Sequence, residues 1–95
     1  MQHKAQQALG AGTVEAGLRA LLADTLGLAP SRVAGFTPDS GLFGALPEFD
    51  SMAVANFLTA FEERFEVLIE DDDVEAEDFA TFGSLLAFAE RMVRA

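Results

Sequence analysis

Ser51 is the residue of this 95-residue chain that is best placed to do chemistry, and it lies in the segment EFDSM at 48–52. It follows Asp50, a residue type that caps helices, and it precedes an apolar run with helical spacing. A hydroxyl in the first turn of a helix lies beside free backbone N–H groups and the positive end of the helix dipole. This position favours a phosphate ester or diester on the serine. The same local sequence also suits an ordinary residue of a first helical turn.

Nucleophilic catalysis by Ser51 itself has no support in the sequence. There is no G-x-S-x-G motif, and the chain's one histidine is His3, close to the N-terminus. The absence of cysteine excludes a thiolate nucleophile, a disulfide and a cysteine metal site, and it is compatible with a cytoplasmic protein. We therefore expect no enzymatic activity, and expect that any reaction at Ser51 is carried out by another enzyme.

The acidic run at 70–73 suggests calcium binding, but its spacing does not fit an EF-hand. When the EF-hand loop is started at Asp71, its glycine position falls on Ala76 and its closing glutamate falls on Phe82. We therefore predict no metal site, and interpret the run as a solvated acidic surface.

The charge is concentrated in one part of the chain. Twelve of the sixteen acidic residues lie at 48–78, where Arg64 is the one basic residue, so this segment carries a formal charge of −11 within a total of −10. Nucleic acid is a poor partner for such a surface, whereas proteins with a basic face are suitable partners.

The first predicted helix spans 13–26, with Thr13 as its N-cap and Gly27 as its stop. Its buried face comprises Val14, Leu18, Leu21, Leu22 and Thr25. Residues 27–50 have no convincing periodicity, and a connection of this length in a small domain is usually functional. Residues 1–12 are predicted to be a flexible leader and residues 13–95 a folded domain.

The rest of the chain predicts two further main helices and a short one. The second helix begins after the Asp50 cap and the last one after a cap at Thr81, and an acidic bend and a short helix with Val74 and Phe79 lie between them. The buried residues are Val54, Phe57, Leu58, Phe61 and Phe65 in the second helix and Phe82, Leu85, Leu86, Ala89, Met92 and Val93 in the last. No apolar run approaches the about 20 residues that a membrane span needs. The predicted fold class is all-α: a small four-helix bundle of three main helices and one short helix, with a long loop between helices 1 and 2.

This order of elements resembles the acyl carrier proteins. The first helix ends in LADTLGL, FDSM stands where the family has D-S-L, and FEERFEVLIEDDDVEAEDFATFGSLLAF matches the family's downstream pattern. The resemblance runs from about Leu18 to the C-terminus. The segment LFGALPEFDSMAVANFLTAFEERF also looks like the discrete carrier proteins found with bacterial exosortase and exopolysaccharide gene sets.

The resemblance implies that Ser51 receives 4′-phosphopantetheine from coenzyme A through a phosphopantetheinyl transferase that uses Mg²⁺. An acyl group would then be held as a thioester, as in fatty acid biosynthesis and related lipid metabolism. Asp50 would cap the helix and help to present the serine and the metal to the transferase. Met52 would contact partner enzymes, and a half-buried packing role for it is the alternative. These partners include acyl-loading and acyl-transferring enzymes, and the protein is expected to be a cytoplasmic monomer.

The early part of the second helix departs from the usual family pattern. Typical fatty-acid carriers have acidic residues there, whereas Met52–Thr59 is uncharged and the acids begin at Glu62. The resemblance and this departure together predict the following partner-binding residues: Glu48, Met52, Ala55, Asn56, Glu62 and Glu63. We expect partners of a dedicated pathway rather than those of housekeeping fatty-acid synthesis.

Three alternatives remain open from the residues alone. The chain could be an acidic helical module that binds partners without modification, or Ser51 could be phosphorylated as a regulatory switch. A peptidyl carrier with an aminoacyl cargo is the third, because the sequence does not separate it from an acyl carrier.

Overall fold

The structure is a computed structural model that describes residues 11–94. In this range the chain forms four α-helices, named α1 to α4, and two 3₁₀ helices. Their bounds are Ala11–Leu26 (α1), Pro30–Ala34 (α2), Ser51–Phe65 (α3), Asp71–Asp73 and Ala76–Phe79 (both 3₁₀) and Phe82–Arg94 (α4). The all-α class is confirmed, since the described residues contain no β-strand. An isolated β-bridge joins Gly41 and Thr81. The short helix predicted before α4 consists of 3₁₀ turns.

The start of α1 differs from the prediction. The helix is already formed at Ala11, so Thr13 lies inside it as an exposed residue and the predicted N-cap at Thr13 is wrong. Alanine is the strongest helix former, and a glycine near a helix end costs only about 1 kcal/mol, so Gly12 does not stop the helix. Of the predicted leader, residues 1–10 lie outside the described residues.

Helix α1 ends as the sequence predicts. Gly27 has a positive φ of 69°, which a residue without a Cβ adopts without strain. This turn lets the Leu28 N–H donate to the Ala23 carbonyl at 3.0 Å, which satisfies one of the last free carbonyls of the helix. Pro30 then begins α2, where its missing N–H is not needed.

The long loop between α1 and α3, which contains the short helix α2, is hydrogen-bonded to the start of α4. Four backbone hydrogen bonds of 2.8–2.9 Å join the two segments: Phe82 N to Ser40 O, Gly83 N to Pro38 O, Leu42 N to Ala80 O and Phe43 N to Phe79 O. Ser84 N donates to Thr81 Oγ1 at 3.1 Å, which confirms the predicted cap at Thr81. The loop carbonyls therefore satisfy N–H groups of α4 that no helix can satisfy by itself.

The core is built around phenylalanine. The fully buried large side chains include Phe49, Phe57, Phe61, Phe82 and Phe88, together with leucines and valines of α1, the loop and α4. Of the sixteen residues in the three predicted buried faces, nine are buried, and seven are only half-buried: Thr25, Val54, Leu58, Phe65, Leu86, Met92 and Val93. Phe49 and Phe88 were absent from the predicted faces. Phe49 lies in a segment without periodicity, and Phe88 follows Leu85 by three residues, so it shares the buried face that the prediction extended to Leu86.

Candidate functional site

Ser51 is the first residue of α3, and its position depends on Asp50. Asp50 has an extended backbone (φ −94°, ψ −174°), and its Oδ1 accepts a hydrogen bond from Ala53 N at 2.9 Å. This confirms the predicted cap, which contributes about 1 kcal/mol to stability. Ser51 is exposed. Its hydroxyl is thus presented to solvent at the positive end of a 15-residue helix.

An apolar groove of about 290 Å³ includes Ser51 in its lining. The other lining residues come from the long loop, from α3 and from the 3₁₀ segment: Phe43, Val54, Leu58, Val74, Glu75, Ala76 and Phe79. Glu75 is the one charged residue among them. The half-buried Val54 and Leu58 thus belong to a groove that is continuous with the serine, which explains why they are not in the closed core.

An aromatic cluster lies behind this groove. The Phe79 ring is 5.7 Å from the Phe49 ring, 6.1 Å from that of Phe57 and 6.4 Å from that of Phe88, measured between centroids. Phe43 meets Phe49 edge-on at 6.3 Å and is 43% exposed, so it forms the outer wall of the groove. The inner wall of the groove therefore consists of closely packed rings, and edge-on pairs such as these are favourable.

The exposed face of α3 carries most of the predicted partner residues. Four of the five that lie on α3 are exposed: Met52, Ala55, Asn56 and Glu63. They follow Met52 by three, four and eleven residues, offsets that put them on one side of the helix. Met52 is 73% exposed, a large apolar side chain next to the serine. Glu62 is half-buried, and its Oε2 accepts a hydrogen bond from Ile69 N at 2.8 Å, so its carboxylate already holds the turn after α3.

Glu48 pairs with Arg32 across the long loop. Arg32 Nη1 donates to Glu48 Oε2 at 2.9 Å, joining α2 to the residues that lead into α3. A hydrogen bond from its own backbone N–H and then the Arg32 guanidinium lower the pKa of the Glu48 carboxyl below its ordinary value. Glu48 is exposed, its carboxylate is ionised at neutral pH, and one of its oxygens is bound to Arg32.

The acidic segment after α3 uses its carboxylates for local structure. Asp73 Oδ2 accepts from Glu70 N at 2.9 Å and Asp78 Oδ2 from Glu75 N at 2.8 Å, one such pair at the start of each 3₁₀ helix. Arg91 of α4 lies 3.5 Å from Asp78 Oδ1. Within residues 11–94, no group of three or more acidic or histidine side chains is arranged to hold a metal ion.

Comparison with known proteins identifies the family. The sequence model described as the phosphopantetheine attachment site matches residues 16–89. The solution NMR structure of a holo acyl carrier protein from Nitrosomonas europaea is 42% identical over 96% of this chain and 95% of that chain, with a TM-score of 0.71. The chain belongs to the acyl carrier protein family. No curated protein sequence gives a significant match.

The prosthetic group of this carrier is 4′-phosphopantetheine. The residues present fit such a group, because an exposed serine hydroxyl lies at a helix N-terminus, where a phosphodiester is favoured. The groove beside Ser51 is lined almost entirely by apolar side chains, which suits an apolar group carried at the end of the phosphopantetheine. The family resemblance proposed from the sequence is thus confirmed.

The sequence did not reveal the outer wall of the carrier's groove. Phe43 is a phenylalanine in a loop rich in glycine and proline, where no periodicity indicates which side chains are buried. Its neighbours in the groove, Ala76 and Glu75, are exposed residues of the acidic segment. A large apolar residue in such a loop is the one available signal, and it does not show which surface the residue contacts.

Proposed function

We propose that this carrier holds an acyl intermediate as a thioester on 4′-phosphopantetheine attached to Ser51, and delivers it to partner enzymes. The observation that carries the proposal is the exposed Ser51 hydroxyl at the Asp50-capped start of α3, beside an apolar groove. The attached group supplies the thiol that this cysteine-free chain lacks. Tethering raises the effective concentration of the acyl group at successive active sites.

Asp50 and the first turn of α3 prepare the serine for modification. The cap stabilises the start of the helix, where Ser51 is the first residue and where the free N–H groups lie. We propose that a phosphopantetheinyl transferase acts here with coenzyme A and Mg²⁺, and that the carrier itself is not an enzyme.

The partner enzymes would dock on the exposed face of α3. Met52, Ala55 and Asn56 offer small and apolar contacts close to Ser51, and Glu63 lies further along the helix. Glu48 and Glu62 would contribute charge at the edges, although each already has a partner within the chain. This surface favours partners with an apolar centre and a basic edge, in a dedicated pathway such as the exopolysaccharide-linked ones rather than general fatty acid biosynthesis.

No helix among the described residues is long and apolar enough to cross a membrane. We propose that the carrier acts as a cytoplasmic monomer.

The intact mass of the protein isolated from its own cells tests the proposal. We expect the mass of one phosphopantetheine with an acyl group, lost when a mild thioester-cleaving reagent is added. A mass increase of one phosphate would support the regulatory switch, and an aminoacyl group would support the peptidyl carrier. An unmodified mass would support the interaction module. Each of these three results would contradict the proposed acyl carriage.

A further inference from the structure

The start of α3 offers few free charges to a docking partner. Met52–Thr59 is uncharged, and the Asp50 carboxylate is already used as the helix cap. Glu48, three positions before Ser51, is exposed, but its carboxylate is bound to Arg32 at 2.9 Å. A partner that approaches the serine along α3 therefore meets an ion pair without net charge, although the carrier as a whole is strongly acidic.

Both members of this ion pair are held in place by buried neighbours. Val33, which follows Arg32, is 1% exposed, and its carbonyl accepts a hydrogen bond from Arg19 Nη1 at 2.7 Å. Phe49, which follows Glu48, is also 1% exposed. The two backbone segments are thus fixed on either side of the pair, so the pair forms in the free carrier and needs no partner to assemble it.

The pair can nevertheless be replaced at little cost. The side chains of Arg32 and Glu48 are 44% and 36% exposed, and exposed ion pairs are weak and screened by salt. Within residues 11–94, the bond to Glu48 is the one hydrogen bond that the Arg32 guanidinium makes. A lysine or arginine of a partner could take over the Glu48 carboxylate while Arg32 returns to water, and no charge would be left buried and unpaired.

Glu75, the charged residue in the lining of the groove, is held differently. Its side chain accepts a hydrogen bond from Asp78 N, so a backbone group and not a cation is its partner there. Its negative charge is therefore not cancelled by that contact. Glu48 differs because the chain supplies a cation for it.

We propose that Arg32 is a specificity-determining residue of this carrier: it occupies Glu48 in the free protein, so a basic partner must replace it before using that carboxylate. The inference rests on the proposed function, because it concerns the partners that dock beside Ser51. Arg32 also repels a basic face through its own charge, whereas apolar contacts through Met52 are unaffected. Specificity arises from contacts that disfavour the wrong partner as well as from those that favour the right one.

The test compares two phosphopantetheinyl transferases, one with a basic docking face and one with an apolar docking face, each with coenzyme A and Mg²⁺. With the basic-faced enzyme, we expect Arg32→Ala to raise kcat/KM by up to about fivefold at low ionic strength, the factor that corresponds to an exposed ion pair. The gain should lie in KM, with kcat unchanged, and should disappear at high salt. The apolar-faced enzyme should not distinguish the variant from wild type.

The intact mass separates this inference from the proposed function. Failure of both enzymes to add phosphopantetheine to folded wild type would contradict the proposed function. Loading of wild type with the same kcat/KM as Arg32→Ala for the basic-faced enzyme would overturn the inference alone. An equal gain with the apolar-faced enzyme would also overturn it, because the effect would not depend on the charge of the partner.

Three further variants control for charge and structure. Arg94→Ala removes the same charge from an exposed arginine at the end of α4, and we expect it to behave as wild type. Arg32→Lys keeps the charge and should also remain close to wild type. In a Glu48→Gln background, the gain from Arg32→Ala should be smaller, because no carboxylate is freed. An equal gain from Arg94→Ala, or an undiminished gain in the Glu48→Gln background, would overturn the inference.

Discussion

Gly83 is where α4 approaches the long loop most closely, and Gly83→Ala tests that contact. A Cβ at this position would lie 2.8 Å from Pro38 O, 3.1 Å from Pro38 Cβ and 3.2 Å from Pro38 Cα. Two of these are backbone atoms, so rotation of a side chain cannot relieve the clash. The same proline carbonyl accepts the Gly83 N–H at 2.9 Å. An alanine at 83 therefore requires the loop to move away from the helix.

The expected cost follows from three effects. Forcing an extra carbon into a closely packed contact costs about 1–3 kcal/mol. Weakening the Gly83–Pro38 hydrogen bond adds about 1 kcal/mol. The higher helix propensity of alanine returns at most about 1 kcal/mol. The free energy of unfolding should therefore fall by about 1–3 kcal/mol, which for a domain of this size lowers Tm by roughly 5–20 °C.

Thermal unfolding followed by circular dichroism measures the effect, with Gly12→Ala as the matched control. Gly12 also lies in a helix, but a Cβ there would meet nothing within 4 Å. We expect Gly12→Ala to leave Tm unchanged or to raise it, since alanine favours the helix by up to about 1 kcal/mol. A Gly83→Ala protein as stable as wild type, or an equal loss in both variants, would refute the role assigned to the loop contact.

Three further predictions concern the helix cap, the loop pair and the charge. Asp50→Ala should lower the free energy of unfolding by about 1 kcal/mol, whereas Asp50→Asn should keep most of it because asparagine caps equally well; an equal loss in denaturant titrations of the two variants would contradict the capping role. Arg32→Ala should raise the pKa of Glu48 only part of the way to its ordinary value, because the residue's own backbone N–H also lowers it. Since the pKa is lowered on folding, Glu48 stabilises the folded state at neutral pH, and this contribution disappears as the pH falls through its pKa, below the ordinary 4.5. An NMR pH titration checks this, and a pKa unchanged by Arg32→Ala would count against the pair. Finally, added salt or millimolar divalent cation should raise Tm, because the formal charge of −11 at residues 48–78 repels itself; a Tm that stays constant through the titration would disprove this.

The features that could be predicted from the sequence are local ones. The buried face of α1 follows from spacing within one helix, and the caps at Asp50 and Thr81 depend on residues three positions away. Thr13 was wrongly predicted to be the N-cap, because its residue type favours a cap while Ala11 and Gly12 before it are already helical.

The features that were missed depend on contacts between distant segments. Phe43 becomes a groove wall only because the loop is hydrogen-bonded to the residues before α4. The tight approach at Gly83 requires Pro38, which is 45 positions earlier. Neither segment has a periodicity that indicates its neighbour. The candidate serine was predicted from the sequence because its signal is local, whereas the groove beside it was not predicted, since three segments build it.

The most direct test of the account is the intact mass of the protein after incubation with coenzyme A, Mg²⁺ and a broad-specificity phosphopantetheinyl transferase. Wild type, Ser51→Ala and Ser31→Ala are compared, because Ser31 is also an exposed serine in the first turn of a helix, α2. We predict one added phosphopantetheine on wild type and on Ser31→Ala, and none on Ser51→Ala. Addition to Ser51→Ala, or no addition to a folded wild-type protein, would contradict it.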